Sequence, residues 1–492
     1  MGISPFNYTM KIIQTALLVL LSTIGLFCTA QQLNKSTTQN DIFASMDANA
    51  DSILRKTGTY SVSIGIVKDG KTYTRHYGEL DKGQGNTANN NTLFEIASVT
   101  KICTGLLMAQ AVLEGKIKLN DDIREYINGN YPNIEYEGHP VRIKDVISFK
   151  TGLDRDLPDT RELRKKISDS TAFYFRKLDE PYSKEKFFKD LKVVKVDTIP
   201  GTKYKYSNLS LELSAHILEN VYHKSYAELL KKNIFSKLNM KSTRLNVPQG
   251  KKIANGYNEN HVLMPHLINH LWGSEGYLKS NLNDLTKFLA YQLDTTNRIV
   301  RESQRNVLNS KENWYGYFWD GIEVADNGKF CHKQGGAYGT QTFFTVFPER
   351  NLGIVIIVNI NAPNTYDEIF NAVLRIVEDL KPESKAKQIY GYKLIGDKVI
   401  FIYTHPETLN AGLINSVNVA GSFNKWNFED KAYRMTARNN NIFELAIPKS
   451  QFKKGEMYRF KFIINNSALV TAPRNAFNVE KSLDRNLTLK VF

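Results

Sequence analysis

Phe94-Glu95-Ile96-Ala97-Ser98-Val99-Thr100-Lys101-Ile102-Cys103-Thr104-Gly105-Leu106-Leu107-Met108-Ala109-Gln110-Ala111-Val112-Leu113-Glu114-Gly115 is the stretch on which the reading of this chain turns. From Ile102 onward, apolar residues at 102, 106–108 and 111–113 give a coverage wide enough for a helix buried in a core. Gly115 supplies the left-handed position that ends it. Ser98 stands at the helix start, with Lys101 three residues on and on the same face. A serine hydroxyl becomes a useful nucleophile when a neighbouring base takes its proton. A helix N-terminus favours developing negative charge, and a lysine buried beside it is easier to deprotonate. The local chemistry is that of an activated serine.

The spacing alone is weak, because it recurs at Ser183/Lys186, Ser384/Lys387, Ser422/Lys425 and Ser450/Lys453 in polar or charged surroundings. The plain alternative at Ser98 is a helix-capping serine with a solvated lysine, so partners elsewhere must decide. Pro200-Gly-Thr-Lys-Tyr-Lys-Tyr206-Ser-Asn208 precedes a strongly periodic helix over 209–221. A tyrosine hydroxyl there can exchange a proton with the serine or a leaving group, and the Asn208 amide can orient a carbonyl. The competing reading is an Asn cap with a packing tyrosine. Further on, Cys331-His-Lys333-Gln334-Gly335-Gly336-Ala-Tyr-Gly339 opens a strand that runs to a turn at 348–351, followed by a second strand over 353–358. Its glycines let another molecule approach the backbone, and Lys333 offers a cation to a carboxylate. Relief of crowding is the alternative.

Together, Ser-Val-Thr-Lys, Tyr-Ser-Asn and Lys-Gln-Gly, in that order, resemble the penicillin-recognising serine hydrolases, above all the branch of class C β-lactamases, D-alanyl-D-alanine carboxypeptidases and related esterases. The resemblance covers about 45–380 and includes the Leu-Glu-Gly-Lys-Ile-Lys-Leu-Asn-Asp-Asp run after the Ser98 helix and Phe-Pro-Glu-Arg-Asn-Leu-Gly-Ile-Val at 347–355. It implies Ser98 as the acylated nucleophile, Lys101 and Tyr206 as the proton-transfer pair, and Asn208 as a substrate-orienting amide. Lys333 would bind a substrate carboxylate, and the N–H groups of Ser98 and Gly336 would form the oxyanion hole. It implies no cofactor and no metal. Gln334 departs from the family, which carries a small hydroxyl or a glycine there, and Phe149-Lys150-Thr151-Gly152-Leu153 stands where many relatives have His-Thr-Ser-Gly-Leu. Acyl transfer is therefore expected on small esters or D-amino-acid peptides. The alternatives are a class C-like β-lactamase and a catalytically silent envelope or glycan-binding protein on the same fold.

The expected fold is mixed α/β (α+β). Strands near 60–77, paired through a tight turn at Asp69-Gly70, join those near 331–358 in one antiparallel sheet flanked by helices, with the Ser98 helix between it and a helical subdomain. Past a charged linker over 381–387, short strands at 399–403, 416–421, 443–447, 458–464 and 487–491 have the spacing of an immunoglobulin-like β-sandwich. Val-Asn-Val-Ala-Gly-Ser-Phe-Asn-Lys-Trp-Asn (417–427) and Tyr-Arg-Phe-Lys-Phe-Ile-Ile-Asn-Asn (458–466) are similar to the glycogen-binding, early-set domains. That resemblance puts Trp426 and Lys461 at ligand-contacting positions, with Ala468 where a second aromatic is expected. Cell-envelope glycan is one partner for this region; packing against the hydrolase or another protein is the other.

The ends and the composition set the context. The chain has 492 residues and a formal charge of +15, enough for two or three domains. Residues 1–30 carry one base, Lys11, and no acid, with an apolar run over 12–28, which reads as a secretory signal peptide starting at Met1 or Met10. Phe27 before Cys28 disfavours a lipoprotein. The expected division is 1–30 signal peptide, 31–384 hydrolase and 388–492 sandwich, in a periplasmic or secreted protein. The mature chain would keep 64 basic and 50 acidic residues, a charge of +14, and export without a dense basic run argues against nucleic acid. No later apolar stretch is long enough to span a membrane. Cys103 and Cys331, the cysteines left after residue 30, are either a disulfide or two buried thiols.

Overall fold

The computed structural model describes residues 38–491 except 269–270, 309–315, 326–327, 381–388, 406–413, 439–440, 467, 471, 473–475 and 481–483. The proposed signal peptide and the 381–387 linker lie outside these residues. The chain folds into two compact units, one spanning Ile42–Asp379 and the other built on Leu380–His405 and Ala411–Phe492.

The first unit is centred on a six-stranded antiparallel sheet. Its strands are β1 (Ser61–Lys68), β2 (Lys71–Gly78), β3 (Gly321–Ala325), β4 (Gly328–Gly336), β5 (Gln341–Phe347) and β6 (Leu352–Val358), in the order β2-β1-β6-β5-β4-β3. Asp69 and Gly70 both take positive φ, 50° and 76°, as a two-residue hairpin turn with the right twist requires. The sequence reads 331–347 as one strand, whereas the chain turns at 337–340, where the Ala337 N–H donates to Thr340 O at 2.9 Å, and pairs Gln341 back on Gly336. The turn is fixed by a long-range contact: Gly339 lies so close to Gly256 that a Cβ would collide with its backbone. No local pattern carries that information.

Six helices matter for the site: α1 (Gln39–Thr57), α2 (Thr100–Leu113), α3 (Thr171–Asp179), α4 (Asn208–Tyr222), α5 (Leu282–Leu293) and α6 (Thr365–Asp379). α5 packs on the sheet where glycines leave room. A Cβ at Gly65 would stand 2.9 Å from side-chain carbons of Leu282 and Thr286, and one at Gly353 would stand 3.0 Å from Leu289. α1 and α6 are joined by buried polar contacts, Ser52 to Glu368 at 2.7 Å and Arg375 to Asn49 at 2.7 Å, and Phe370 of α6 meets Phe343 of β5. α2 is buried along nearly its whole length in the core it shares with α4. Gly105 faces Tyr317 O with no space for a Cβ, and Gly115 closes the helix at φ 69°.

The second unit has two four-stranded sheets. In one, β7 (Tyr392–Ile395), β8 (Lys398–Thr404), β10 (Thr436–Ala437) and β11 (Ile442–Pro448) run in the order β7-β8-β11-β10; in the other, β12 (Met457–Ile464) pairs β9 (Val417–Gly421), β13 (Ala468–Leu469) and β14 (Leu487–Lys490). Val399, Phe401, Val419, Phe460 and Leu489 fill its core. The five strands expected from alternation are present to within a residue at each end, and the short β7, β10 and β13 are additional.

Candidate active site

Ser98 is held in a 3-10 turn, Ala97–Val99, that leads directly into α2. Ala97 takes φ 42°, a left-handed conformation that a non-glycine residue adopts at a cost of about 1–3 kcal/mol and only when its surroundings enforce it. β4 supplies part of that enforcement. A Cβ at Gly335 would collide with Ile96 O and lie 3.2 Å from Ser98 N, so glycine is what lets the strand edge reach the serine turn.

The three expected catalytic groups converge. Ser98 Oγ lies 2.9 Å from Tyr206 Oη, and Lys101 Nζ donates to Ser98 Oγ at 3.1 Å and to the main-chain oxygen of Glu275. Lys101 is fully buried; burial, reinforced by the charge of Lys333, lowers its pKa to about 7. Burial, with Asp320 adding to it, pushes the Tyr206 hydroxyl well above its ordinary range. Lys101 is therefore the group that loses its proton near neutrality, and Tyr206 stays a neutral hydroxyl able to donate.

Tyr206 and Asn208 arrive on the segment entering α4, which Ser207 caps through Ser210 N–H. Phe149, at φ 57°, stacks on the Tyr206 ring at 4.8 Å and 25°. Asn208 donates Nδ2–H to Asp156 Oδ1 at 2.7 Å, and its Oδ1 is buried beside the Ser98 cavity without a partner among the described residues. Glu212, one turn along α4 and 3% exposed, accepts from the N–H groups of Trp272 at 3.0 Å and Glu275 at 3.3 Å. It thereby fixes the turn whose carbonyl receives Lys101.

Lys333, expected to offer its cation to a substrate carboxylate, is held by an acid of the chain itself. Its side chain is fully buried and outside the cavity lining, with Nζ 2.5 Å from Asp320 Oδ1 and over the rings of Phe149 and Tyr206. The other oxygen of Asp320 accepts the Gln334 N–H at 2.8 Å. Gln334, in place of a small hydroxyl, donates to Gln341 at 3.1 Å, and Gln341 to Asn361 at 2.7 Å. Gly336 lines the cavity, as Ser98, Tyr206 and Asn208 do. Sequence reasoning missed Asp320, Glu212 and Glu275. Asp320 has a signal visible only afterwards: its N–H bonds to His332 O, the register that carries it beside Lys333.

Cys103 and Cys331 are free and buried, so of the two readings the thiols stand. In the second unit, Lys461 pairs Ala420 within the sheet, while Trp426 lies in the turn after β9, its N–H bonded back to Gly421 O at 2.9 Å. Among the described residues no other aromatic ring packs against Trp426, and burial lowers the Lys461 pKa against the pull of Asp484 and Glu480. None of the described helices is long and apolar enough to cross a membrane.

Three comparisons bear on this geometry. The Beta-lactamase family model matches residues 46–377. The chain is 25% identical over 372 residues to Protein flp of Staphylococcus aureus strain MRSA252, covering 72% of this chain and 70% of that protein. It is 23% identical over 373 residues to the D-alanyl-D-alanine-carboxypeptidase/endopeptidase AmpH of Escherichia coli K12, covering 71% and 92%. Among solved structures, a β-lactamase/D-alanine carboxypeptidase from Yersinia pestis, complexed with citrate, superposes with a TM-score of 0.56 at 23% identity, covering 69% of this chain and 98% of that one.

Proposed function

The chain belongs to the β-lactamase family of serine hydrolases, and we propose that it works through an acyl-enzyme on Ser98 with small esters or D-amino-acid peptides as substrates. The observation that carries this reading is Ser98 Oγ within 2.9 Å of a neutral tyrosine hydroxyl and 3.1 Å of a lysine made easy to deprotonate. In the proposed cycle Lys101 takes the Ser98 proton as Oγ attacks the acyl carbon. The N–H groups of Ser98 and Gly336 receive the oxyanion, Tyr206 hands its proton to the leaving group, and the Lys101 ammonium returns the proton it took from Ser98 to the Tyr206 oxygen. Water then repeats the sequence on the acyl-enzyme. Asn208 Oδ1 is the acceptor for a substrate N–H.

Lys333 has a different part from the one its motif suggests. Paired with Asp320 behind the Tyr206 ring, it supports the depressed Lys101 pKa, and its own cation is buried against Asp320 rather than held out to a carboxylate. This lowers the ranking of β-lactams, whose recognition in the family rests on that cation. The E. coli relative named as a carboxypeptidase/endopeptidase supports peptide substrates. The composition of residues 1–30 supports export, and the division of the chain between Asp379 and Leu380 supports a separable sandwich with Trp426 and Lys461 as its glycan contacts.

A panel of p-nitrophenyl acetate, a D-alanyl-D-alanine peptide and a chromogenic cephalosporin tests the ranking. The ester and the peptide are expected to turn over, the cephalosporin to acylate and release slowly. Rapid cephalosporin turnover would promote the β-lactamase alternative, and inertness toward all three would favour a silent binding protein.

A further inference from the structure

Gln334, which stands where the family carries a small hydroxyl or a glycine, has its own use of the strand edge. β4 and β5 pair Gly336 with Gln341 and Gln334 with Phe343, so Gln334, Gly336 and Gln341 share one face of the sheet. Gln334 and Gln341 are diagonal neighbours on that face, a separation that long side chains bridge. Between them lies the bare position of Gly336. Outside the adjoining residues, the atom nearest to the place of a Cβ there is Gln334 Nε2, at 3.4 Å. The glutamine side chain therefore crosses over the glycine and donates to Gln341 Oε1 at 3.1 Å. A serine or threonine is too short to make that crossing.

This contact is the first of a chain. Gln341 Nε2–H donates to Asn361 Oδ1 at 2.7 Å, and Asn361 Nδ2–H donates to Ala337 O at 2.8 Å. A main-chain oxygen can only accept, so Ala337 O orients the Asn361 amide, and each amide orients the one before it back to Gln334. Aligned in this way, the three bonds polarise one another. Both ends are anchored. The Gln334 N–H donates to Asp320 Oδ2 at 2.8 Å, and Asn361, three residues beyond β6, pairs Asn258 in a short parallel bridge. The chain spans the last rung of the β4–β5 ladder, Gly336 with Gln341, beyond which the strands part into the turn at 337–340. Ladder ends are where strands open most readily, and Gly335 and Gly336 have no side chains with which to pack. Gly336 is exposed in the cavity wall. The amide chain supplies the hold that the glycines cannot.

We propose that Gln334, Gln341 and Asn361 are positioning residues that keep the Gly336 N–H in its oxyanion-receiving place. The glutamine that replaces the family's small hydroxyl then serves the oxyanion hole and not a substrate carboxylate. The inference rests on the acyl-enzyme reading above and adds what holds one of its two oxyanion donors.

The test compares kcat/KM for p-nitrophenyl acetate and the corresponding thionoacetate, which differ only in carrying C=O or C=S. Donors set for an oxyanion discriminate against the larger, weakly accepting sulfur, and reaction of the two esters with hydroxide in water gives the reference ratio. The wild-type oxo-to-thiono ratio is expected to exceed the hydroxide ratio by at least about tenfold. Gln341→Met and Asn361→Leu should each shrink it by about fivefold, less than outright loss of a donor would cost. Gln341→Glu, which still accepts from Gln334 but cannot donate to Asn361, should shrink it as far as Gln341→Met does. Reading a ratio within each variant cancels any general loss of activity. An unchanged ratio in any of these folded variants would overturn the proposal. If they do not fold, Gln334→Ala at its half-buried position decides: a fall of about threefold is expected, the loss of one neutral hydrogen bond, and an unchanged ratio counts against the brace. No turnover of either ester, together with no fluorophosphonate labelling of Ser98, would contradict the acyl-enzyme reading and take the brace with it. Turnover with a wild-type ratio no larger than that of hydroxide would remove the positioning role alone.

Discussion

Two parts of this chain were marked by short motifs, and they came out differently. In the β-lactamase-family unit, residues from two distant stretches meet within 3.1 Å, with Lys333 from a third over the Tyr206 ring, and the charges among them are buried and mutually perturbed. In the second unit, Lys461 sits in the sheet opposite Ala420 and Trp426 in the turn after β9, with no second aromatic against the tryptophan among the described residues. The difference lies in what each motif must satisfy. A buried Lys101 and Lys333 can exist only with their partners in place, so the fold has to assemble the whole constellation. A half-buried neutral ring such as Trp426 imposes no such demand. Buried ionisable groups therefore make motif resemblance far more binding than neutral ring positions do.

The contrast can be broken most forcefully at the proton-transfer pair. Lys101→Ala is expected to lower ester kcat/KM by about 10²–10⁴, and adding Tyr206→Phe should cost much less than the product of the single losses, because the groups act as one unit. Cleanly multiplying losses in steady-state kinetics would show independent roles. Next comes the strand edge. Gly335→Ala drives a methyl into Ile96 O and shifts the serine turn, for an expected loss of about a hundredfold with the fold retained by circular dichroism. An unimpaired Gly335→Ala enzyme would show that this approach is not needed.

A smaller effect sharpens the electrostatic half of the comparison. Lys101 works deprotonated, and Lys333 helps to keep its pKa low. Lys333→Met removes that repulsion and leaves Asp320 uncompensated, and both changes raise the Lys101 pKa. The acid limb of the kcat/KM profile, expected near pH 7 in the wild type, should move to higher pH, with about a tenfold loss at pH 7 on charged and neutral esters alike. A limb that stays put, or a loss confined to carboxylate substrates, would restore the carboxylate role. The smallest effect is expected from the second unit: a chain ended after residue 384 should keep ester turnover within about twofold. Loss of activity on truncation would mean that the sandwich supports the site.

Much of the fold was legible because local rules and tertiary demands agree. Asp69-Gly70 specifies its hairpin, the 209–221 periodicity specifies α4, and alternation gives five sandwich strands. The rest was set by contacts that sequence does not display. The turn at 337–340 depends on Gly339 meeting Gly256, and the very short β10 and β13 have too few residues to alternate. At the site, Ser98, Lys101, Tyr206 and Asn208 were readable from spacing and resemblance. Asp320 was not, since a lone acid after Trp319 carries no motif and only the β3–β4 register aims it at Lys333. Glu212 and Glu275 likewise read as an ordinary helix residue and an ordinary turn residue.

The central claim is that Ser98 is the residue acylated. Peptide mapping by mass spectrometry after treatment with a fluorophosphonate tests it directly. The account predicts one adduct, on the peptide containing Ser98, lost in folded Ser98→Ala. An adduct that persists in that variant or maps to another serine, such as Ser183, would contradict it.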